Sequence, residues 1–183
     1  MTITRSLTTV ALVGAASFLG LSGASAKVTV SKVFGDHMVL QQDAPIRIWG
    51  TADPGEQVIV GIPGGGNALV KADDKGKWKA ELPAMKADGK THALSIQGAK
   101  ESDKITLQDV LIGEVWLCSG QSNMEWSVRS SLNADREIAG AKHPQIRLFN
   151  VPGHVRNAEP LDDPRGQWQI CSPQTIPNFT AVG

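Results

Sequence analysis

Between residues 28 and 98 the chain is cut into short segments by turn-forming residues, and this punctuation limits its fold more than any other feature. The segments are VTVSKVF, HMVLQQ, PIRIWG, EQVIVGI, NALVKA, GKWKAELP and HALSIQG. Ala-Asp-Pro-Gly (52–55), Pro-Gly-Gly-Gly-Asn (63–67), Asp-Asp-Lys-Gly (73–76) and Ala-Asp-Gly-Lys (87–90) stand between them. Gly supplies positive φ, Pro presets φ, and Asp or Asn bonds its own backbone, so such clusters turn the chain. Several segments alternate: Val58 with Val60, Trp78 with Ala80 and Leu82, Leu94 with Ile96. Successive side chains of a strand point to opposite faces, so alternation marks one buried face. Residues 27–109 therefore read as a small antiparallel all-β sandwich. Gly64-Gly65-Gly66 lacks the Gly-Lys-Ser/Thr ending and the following helix of a phosphate cradle, so it reads as a hairpin loop.

The pattern changes near residue 110. ITLQDVLIGEVWLCSG carries two apolar runs broken at Gly113-Glu114. Val115, Trp116, Leu117 and Cys118 are continuous rather than alternating, which predicts a strand buried on both faces at the centre of an α/β sheet. MEWSVRSSLNADREIAGAK has weak helical spacing and suits a short helix around residues 137–139. QIRLFNVP (145–152) reads as a strand. The Pro-, Gly- and Asp-rich stretch after it reads as a long loop with one short strand at residues 168–171.

Residues 1–26 read as a signal peptide. Arg5 is followed by an apolar run from Leu7 to Leu21 and by Ala24-Ser25-Ala26, a small-x-small cleavage pattern. The run is short and has no basic stop-transfer flank, which argues against a membrane anchor. The expectation is export to the periplasm or outside the cell after cleavage near Ala26, with no membrane association beyond the signal peptide. Eighteen basic residues balance eighteen acidic ones, so no electrostatic case exists for nucleic acid. Cys118 and Cys171 pair in one reading of an exported protein, and are two buried free thiols in the other. No His, Cys and acid residues stand at metal-ligand spacing, and no cofactor is called for.

A strand, then Gly120-Gln121-Ser122, then a short helix is the geometry that exposes a nucleophile at the carboxyl end of a sheet. Most Gly-x-Ser turns are only turns, and the longer string carries more. VWLCSGQSNMEW resembles the signature of the sialate O-acetylesterase family, carbohydrate esterases of the SGNH/GDSL hydrolase superfamily. FGDHMVLQQDAPIRIWGTADPGEQVIV, GKWKAELPAM and WQICSPQTIPNFTAVG are similar to further stretches of that family, in the expected order. The resemblance implies a β-sandwich (27–109) followed by the first part of an SGNH-type, flavodoxin-like three-layer α/β hydrolase domain (110–183). It implies that Ser122 is the nucleophile and that its backbone N–H is one oxyanion donor. Gly120 and Gln121 would shape the turn, with Asn123 and Met124 positioning it. Glu125 and Trp126 would line or support the pocket, core packing being the equal alternative for Trp126. The substrate class it implies is an acetylated carbohydrate.

A serine hydroxyl needs a base, and a base needs an orienting carboxylate. The superfamily supplies both as Asp-x-x-His. His37, His92, His143 and His154 are preceded at that distance by Phe34, Gly89, Gly140 and Val151, so the base and carboxylate are absent from this chain. The expectation is an N-terminal fragment, inactive alone. The competing expectation is a non-catalytic, exported carbohydrate-binding or adhesion module. There an exposed Trp49 or Trp78 would stack sugar rings, unless both are core residues.

Overall fold

A computed structural model describes residues 27–151 and 164–183. The expected signal peptide, its cleavage at Ala26, and His154 lie outside the described residues. The structure is mostly β-strand with few helices. The punctuated stretch forms β1 (Thr29–Val30), β2 (Val39–Gln41), β3 (Ile46–Thr51), β4 (Gln57–Ile62), β5 (Gly66–Lys71), β6 (Lys77–Leu82) and β7 (His92–Gln97). β8 (Lys104–Gly113) follows. One sheet has three strands in the order β1-β3-β6, and a second has five in the order β2-β8-β7-β4-β5.

Alternation places the apolar positions on the two inner faces. Ile46, Ile48, Trp78, Ala80 and Leu82 come from the first sheet, and Val58, Val60, Leu94, Ile96, Val110 and Ile112 from the second. All are buried in one hydrophobic cluster. Each aliphatic side chain of this kind stabilises the fold by about 1.5–3 kcal/mol. Trp78 belongs to this core, so it is unavailable as a sugar platform, whereas Trp49 faces outward and is 39% exposed. The glycine run is a hairpin loop as expected: Ile62 faces Gly66 across β4 and β5, and Gly65 N–H donates to Ile62 O. At Gly76 φ is +73°, and a Cβ there would stand 2.6 Å from Ala52 O, so the turn before β6 requires glycine.

Two features differ from the sequence reading. β2 pairs with β8 in parallel, so the sheets are not wholly antiparallel. Parallel neighbours need a long crossover, and β3 to β7 provide it. β8 also continues through residue 113, so the first apolar run past residue 109 packs with the preceding strands.

Beyond Gly113 the expected doubly buried strand at 115–118 does not form. Residues 114–121 have no regular structure, and Trp116 and Leu117 are 84% and 93% exposed. Such a strand needs hydrogen-bonding neighbours and cover on both faces, and no described strand pairs with this segment. Two 3-10 turns follow, Ser122–Glu125 and Val128–Ser130, then the short helix α1 (Ala134–Gly140). β9 (His143–Phe149) begins two residues before the expected strand, and β10 (Trp168–Cys171) lies where the sequence places it. They pair antiparallel over a small cluster of Ala141, Leu148 and Cys171, with Ile176 and Phe179 packed against it. Cys118 and Cys171 are both free, and only Cys171 is buried.

Candidate active site

Ser122 opens a 3-10 turn directly after the irregular segment that leaves β8. Its side chain is exposed, as are Gln121 and Asn123. Within the turn Met124 N–H donates to Gln121 O at 2.9 Å, and Trp126 N–H donates to Asn123 O at 3.1 Å. Neither bond uses the N–H of Ser122. Gly120 has a steric reason: a Cβ there would meet Met124 Cγ at 2.8 Å. Met124 thus packs against Gly120, two residues before the serine. Trp126 is 56% exposed, which removes core packing as its role, and its indole N–H donates to Ser130 O. Glu125 is exposed.

Two sets of contacts fix the ends of this segment. At its start, Glu114 accepts from the Gln42 amide at 2.7 Å and the Gln41 amide at 3.0 Å, while Gln41 Oε1 accepts from Val115 N–H. These donors, Gln42 first, hold the Glu114 carboxyl below its usual range. At its end, Val128 N–H donates to Phe179 O and Ala181 N–H donates to Trp126 O, an antiparallel clip with Ser127 opposite Thr180.

A further tie to the two-sheet part runs through Arg147 on β9, whose side chain is 3% exposed. Its guanidinium donates two bonds to the Asp109 carboxylate, at 2.8 and 3.1 Å. It also donates to the backbone carbonyls of His37, Asp109 and, through Nε, Pro144. His37 Nδ1 lies 2.6 Å from the same carboxylate. Arg147 first, then His37, depresses the Asp109 pKa. His37 and Asp109 both have positive φ, 68° and 56°, a conformation costly for residues with a Cβ. Nearby, Trp168 Nε1 donates to Val33 O at 2.8 Å. Sequence reasoning missed this junction. The one available signal was a lone arginine inside the apolar strand QIRLF.

The structure brings Gly120, Gln121, Ser122, Asn123 and Met124 into one turn, and among the described residues no histidine, His143 included, is hydrogen-bonded to it. His37 is bonded to Asp109, and His92 contacts Asp88 at 3.2 Å. Neither is hydrogen-bonded to Ser122, whose hydroxyl has no partner among the described residues. A cavity of about 720 Å³ opens between the exit of β8 and β9, lined by Leu111, Trp116, Cys118, Phe149 and Phe179 but not by Ser122. Among the described residues no three His, Cys, Asp or Glu side chains gather in a form that would hold a metal ion. No described helix is long and apolar enough to cross a membrane.

Known proteins resemble the chain over most of its length. It is 33% identical over 136 residues to sialate O-acetylesterase of Mus musculus, covering 70% of this chain and 25% of that protein. It is 35% identical over 134 residues to sialate O-acetylesterase of Homo sapiens, covering 69% and 25%. A carbohydrate acetylesterase from Xanthomonas citri, known from a crystal structure, superposes with a TM-score of 0.79 at 36% identity, covering 85% of this chain and 35% of its own. The chain thus spans about a quarter of the length of the curated relatives it matches. No protein-family model matches it.

Proposed function

The chain belongs to the sialate O-acetylesterase family, and from that premise we propose that it carries the nucleophile of an exported serine esterase that removes acetyl groups from carbohydrates. The observation that carries the reading is Ser122 itself, exposed at the head of a 3-10 turn inside a Gly-Gln-Ser-Asn-Met block. The proposed architecture is a β-sandwich leading into the first part of an SGNH-type α/β hydrolase domain.

In the proposed reaction Ser122 Oγ attacks the acetyl carbonyl. A histidine paired with a carboxylate takes the serine proton and returns it to the departing sugar hydroxyl. Water then hydrolyses the acetyl-serine with the same histidine as base. The N–H of Ser122 donates to the oxyanion that forms in each step. Gly120 and Met124 hold the turn that presents it. The chain contributes the nucleophile and one oxyanion donor, but has no Asp-x-x-His to contribute the base. We therefore expect no turnover from this chain alone.

The test is hydrolysis of p-nitrophenyl acetate and of an O-acetylated sialic acid. It compares this chain with a form extended to include an Asp-x-x-His segment. Activity is expected in the extended form and is lost in its Ser122→Ala variant. An extended Ser122→Ala protein that still hydrolyses both esters would overturn the assignment.

A further inference from the structure

Where β2 and β8 stop bonding each other, side chains carry the pairing on toward Ser122. The parallel ladder ends with Gln41 opposite Gly113, and Gln42 N–H donates to Gly113 O at 2.9 Å. Neighbours in a strand point to opposite faces. β2 stops at Gln41, and Asp43 turns the chain with φ 54°, which lets two adjacent glutamines reach one carboxylate. The Gln41 and Gln42 amides each donate to a different oxygen of Glu114, at 3.0 and 2.7 Å. The carbonyl end of each glutamine is also used. Gln41 Oε1 accepts Val115 N–H at 2.9 Å, and Gln42 Oε1 accepts Ala87 N–H at 3.2 Å. No described strand pairs with Val115, so the Gln41 side chain stands in for a backbone partner one step beyond the ladder.

We propose that Gln41, Gln42 and Glu114 are positioning residues for the Ser122 nucleophile, acting through the backbone between Glu114 and the turn. Their role in a reaction rests on the esterase reading; the clasp itself rests on the hydrogen bonds above. From Glu114 to Gln121 the chain has no regular structure, and Ser122 follows directly. A segment of that kind is directed by how its ends are held. Its far end is held where Val128 N–H donates to Phe179 O and Ala181 N–H donates to Trp126 O. Its near end is held by the clasp. A reacting group misplaced by about 1 Å loses on the order of 10²-fold in rate, so the direction of the segment matters. Gln41 and Glu114 are exposed and Gln42 is half-buried. Hydrogen bonds and charges open to water add little to global stability. The clasp therefore contributes little to whether the chain folds and much to where the segment points. It also gives the two-sheet part a share in the chemistry, since β2 belongs to that part and Ser122 lies outside it.

The experiment pairs kinetics with amide signals. In the form extended to include an Asp-x-x-His segment, Glu114→Ala and Gln42→Ala should each lower kcat for p-nitrophenyl acetate by about tenfold. KM should stay within about twofold and the thermal melt should not move. The double variant should lose no more than the more impaired single variant, because either change opens the same clasp. Glu114→Gln keeps one acceptor oxygen and should fall between the parent and Glu114→Ala. In this chain, where no activity is needed, Glu114→Ala should shift the amide signals of Gly120 and Ser122 and leave those of Val58 and Ile96 in place. Full kcat in Glu114→Ala, additive losses in the double variant, or unmoved Gly120 and Ser122 signals overturn the proposal. So does a loss of kcat matched by a lower melt, which would make the clasp a support of the fold. An extended parent that hydrolyses no ester, with the Gly120 and Ser122 signals still shifting, breaks the esterase reading alone.

Discussion

Residues 27–113 and 114–183 are similar in their supply of apolar residues and opposite in what those residues find. In the first stretch, alternating strands present one face each, and the facing sheet comes from the same stretch. Val58, Val60, Leu94 and Ile96 are fully buried as a result. In the second, Val115, Trp116, Leu117, Trp126, Leu132 and Ile146 are exposed, and the buried cluster is confined to Ala141, Leu148 and Cys171. The difference teaches that period-two alternation is locally self-sufficient. A continuous apolar run needs cover on two faces, and nothing within the described residues provides it.

The largest expected effect comes from separating the two. A protein of residues 27–113 should melt cooperatively and give dispersed amide signals, because its core is internal. Residues 114–183 on their own should neither melt cooperatively nor show dispersion. A sharp transition from the second piece would break the comparison. Single substitutions sharpen it in the whole chain. Leu94→Ala removes a fully buried side chain between two packed sheets and should cost about 2–5 kcal/mol by urea unfolding. Leu117→Ala removes an equal number of carbons from an exposed one and should stay within about 0.5 kcal/mol. Similar costs at the two positions would mean that Leu117 is covered in solution.

The same contrast explains what was legible in the sequence. The strands of the first stretch were readable because Gly, Pro, Asp and Asn fix turns through their own backbone chemistry, and Trp78-Ala80-Leu82 or Leu94-Ile96 reveal a face through spacing alone. The parallel pairing of β2 with β8 was not, since it is set by which strands meet after a crossover of five strands. Val115–Cys118 misled because composition states a need for burial and not whether it is met. At the candidate site, the Gly-Gln-Ser-Asn-Met turn was legible, and the reason for Gly120 emerged only with Met124 packed on it. Arg147, His37 and Asp109 lie far apart in the sequence and carry no common motif, so their junction was invisible before folding.

Arg147 is the most densely bonded of the joins between the two regions, and it gives the next largest effect. Arg147→Met keeps the apolar stem but removes the guanidinium bonds to the Asp109 carboxylate and to the backbone carbonyls of His37, Asp109 and Pro144. The expected cost is about 2–4 kcal/mol, reduced from that of a fully buried pair because Asp109 remains partly open to water. Amide exchange should rise along β9 and β10 and not at Val58 or Ile96. Faster exchange spread equally over both regions would show that Arg147 supports the fold generally instead of holding one region to the other.

The smallest effect is the pH dependence of that junction, and its sign follows from Asp109. Its folded pKa lies below the ordinary 3.8, because Arg147 and then His37 favour the carboxylate. The unfolded chain therefore binds more protons over this range, and stability rises with pH. The contribution is complete above 3.8 and is lost as pH falls through the depressed folded value. Asp73, Asp88 and Glu114 are depressed as well and give the same sign, so the parent curve alone does not isolate Asp109. The difference between the parent and Arg147→Met does, since those three acids are common to both. That difference in urea-unfolding free energy should be flat from pH 7 to about pH 5 and should shrink toward about pH 2.5 as the carboxylate is protonated. A difference that stays constant down to that pH would assign the effect of Arg147 to its bonds with the His37, Asp109 and Pro144 carbonyls, which do not titrate.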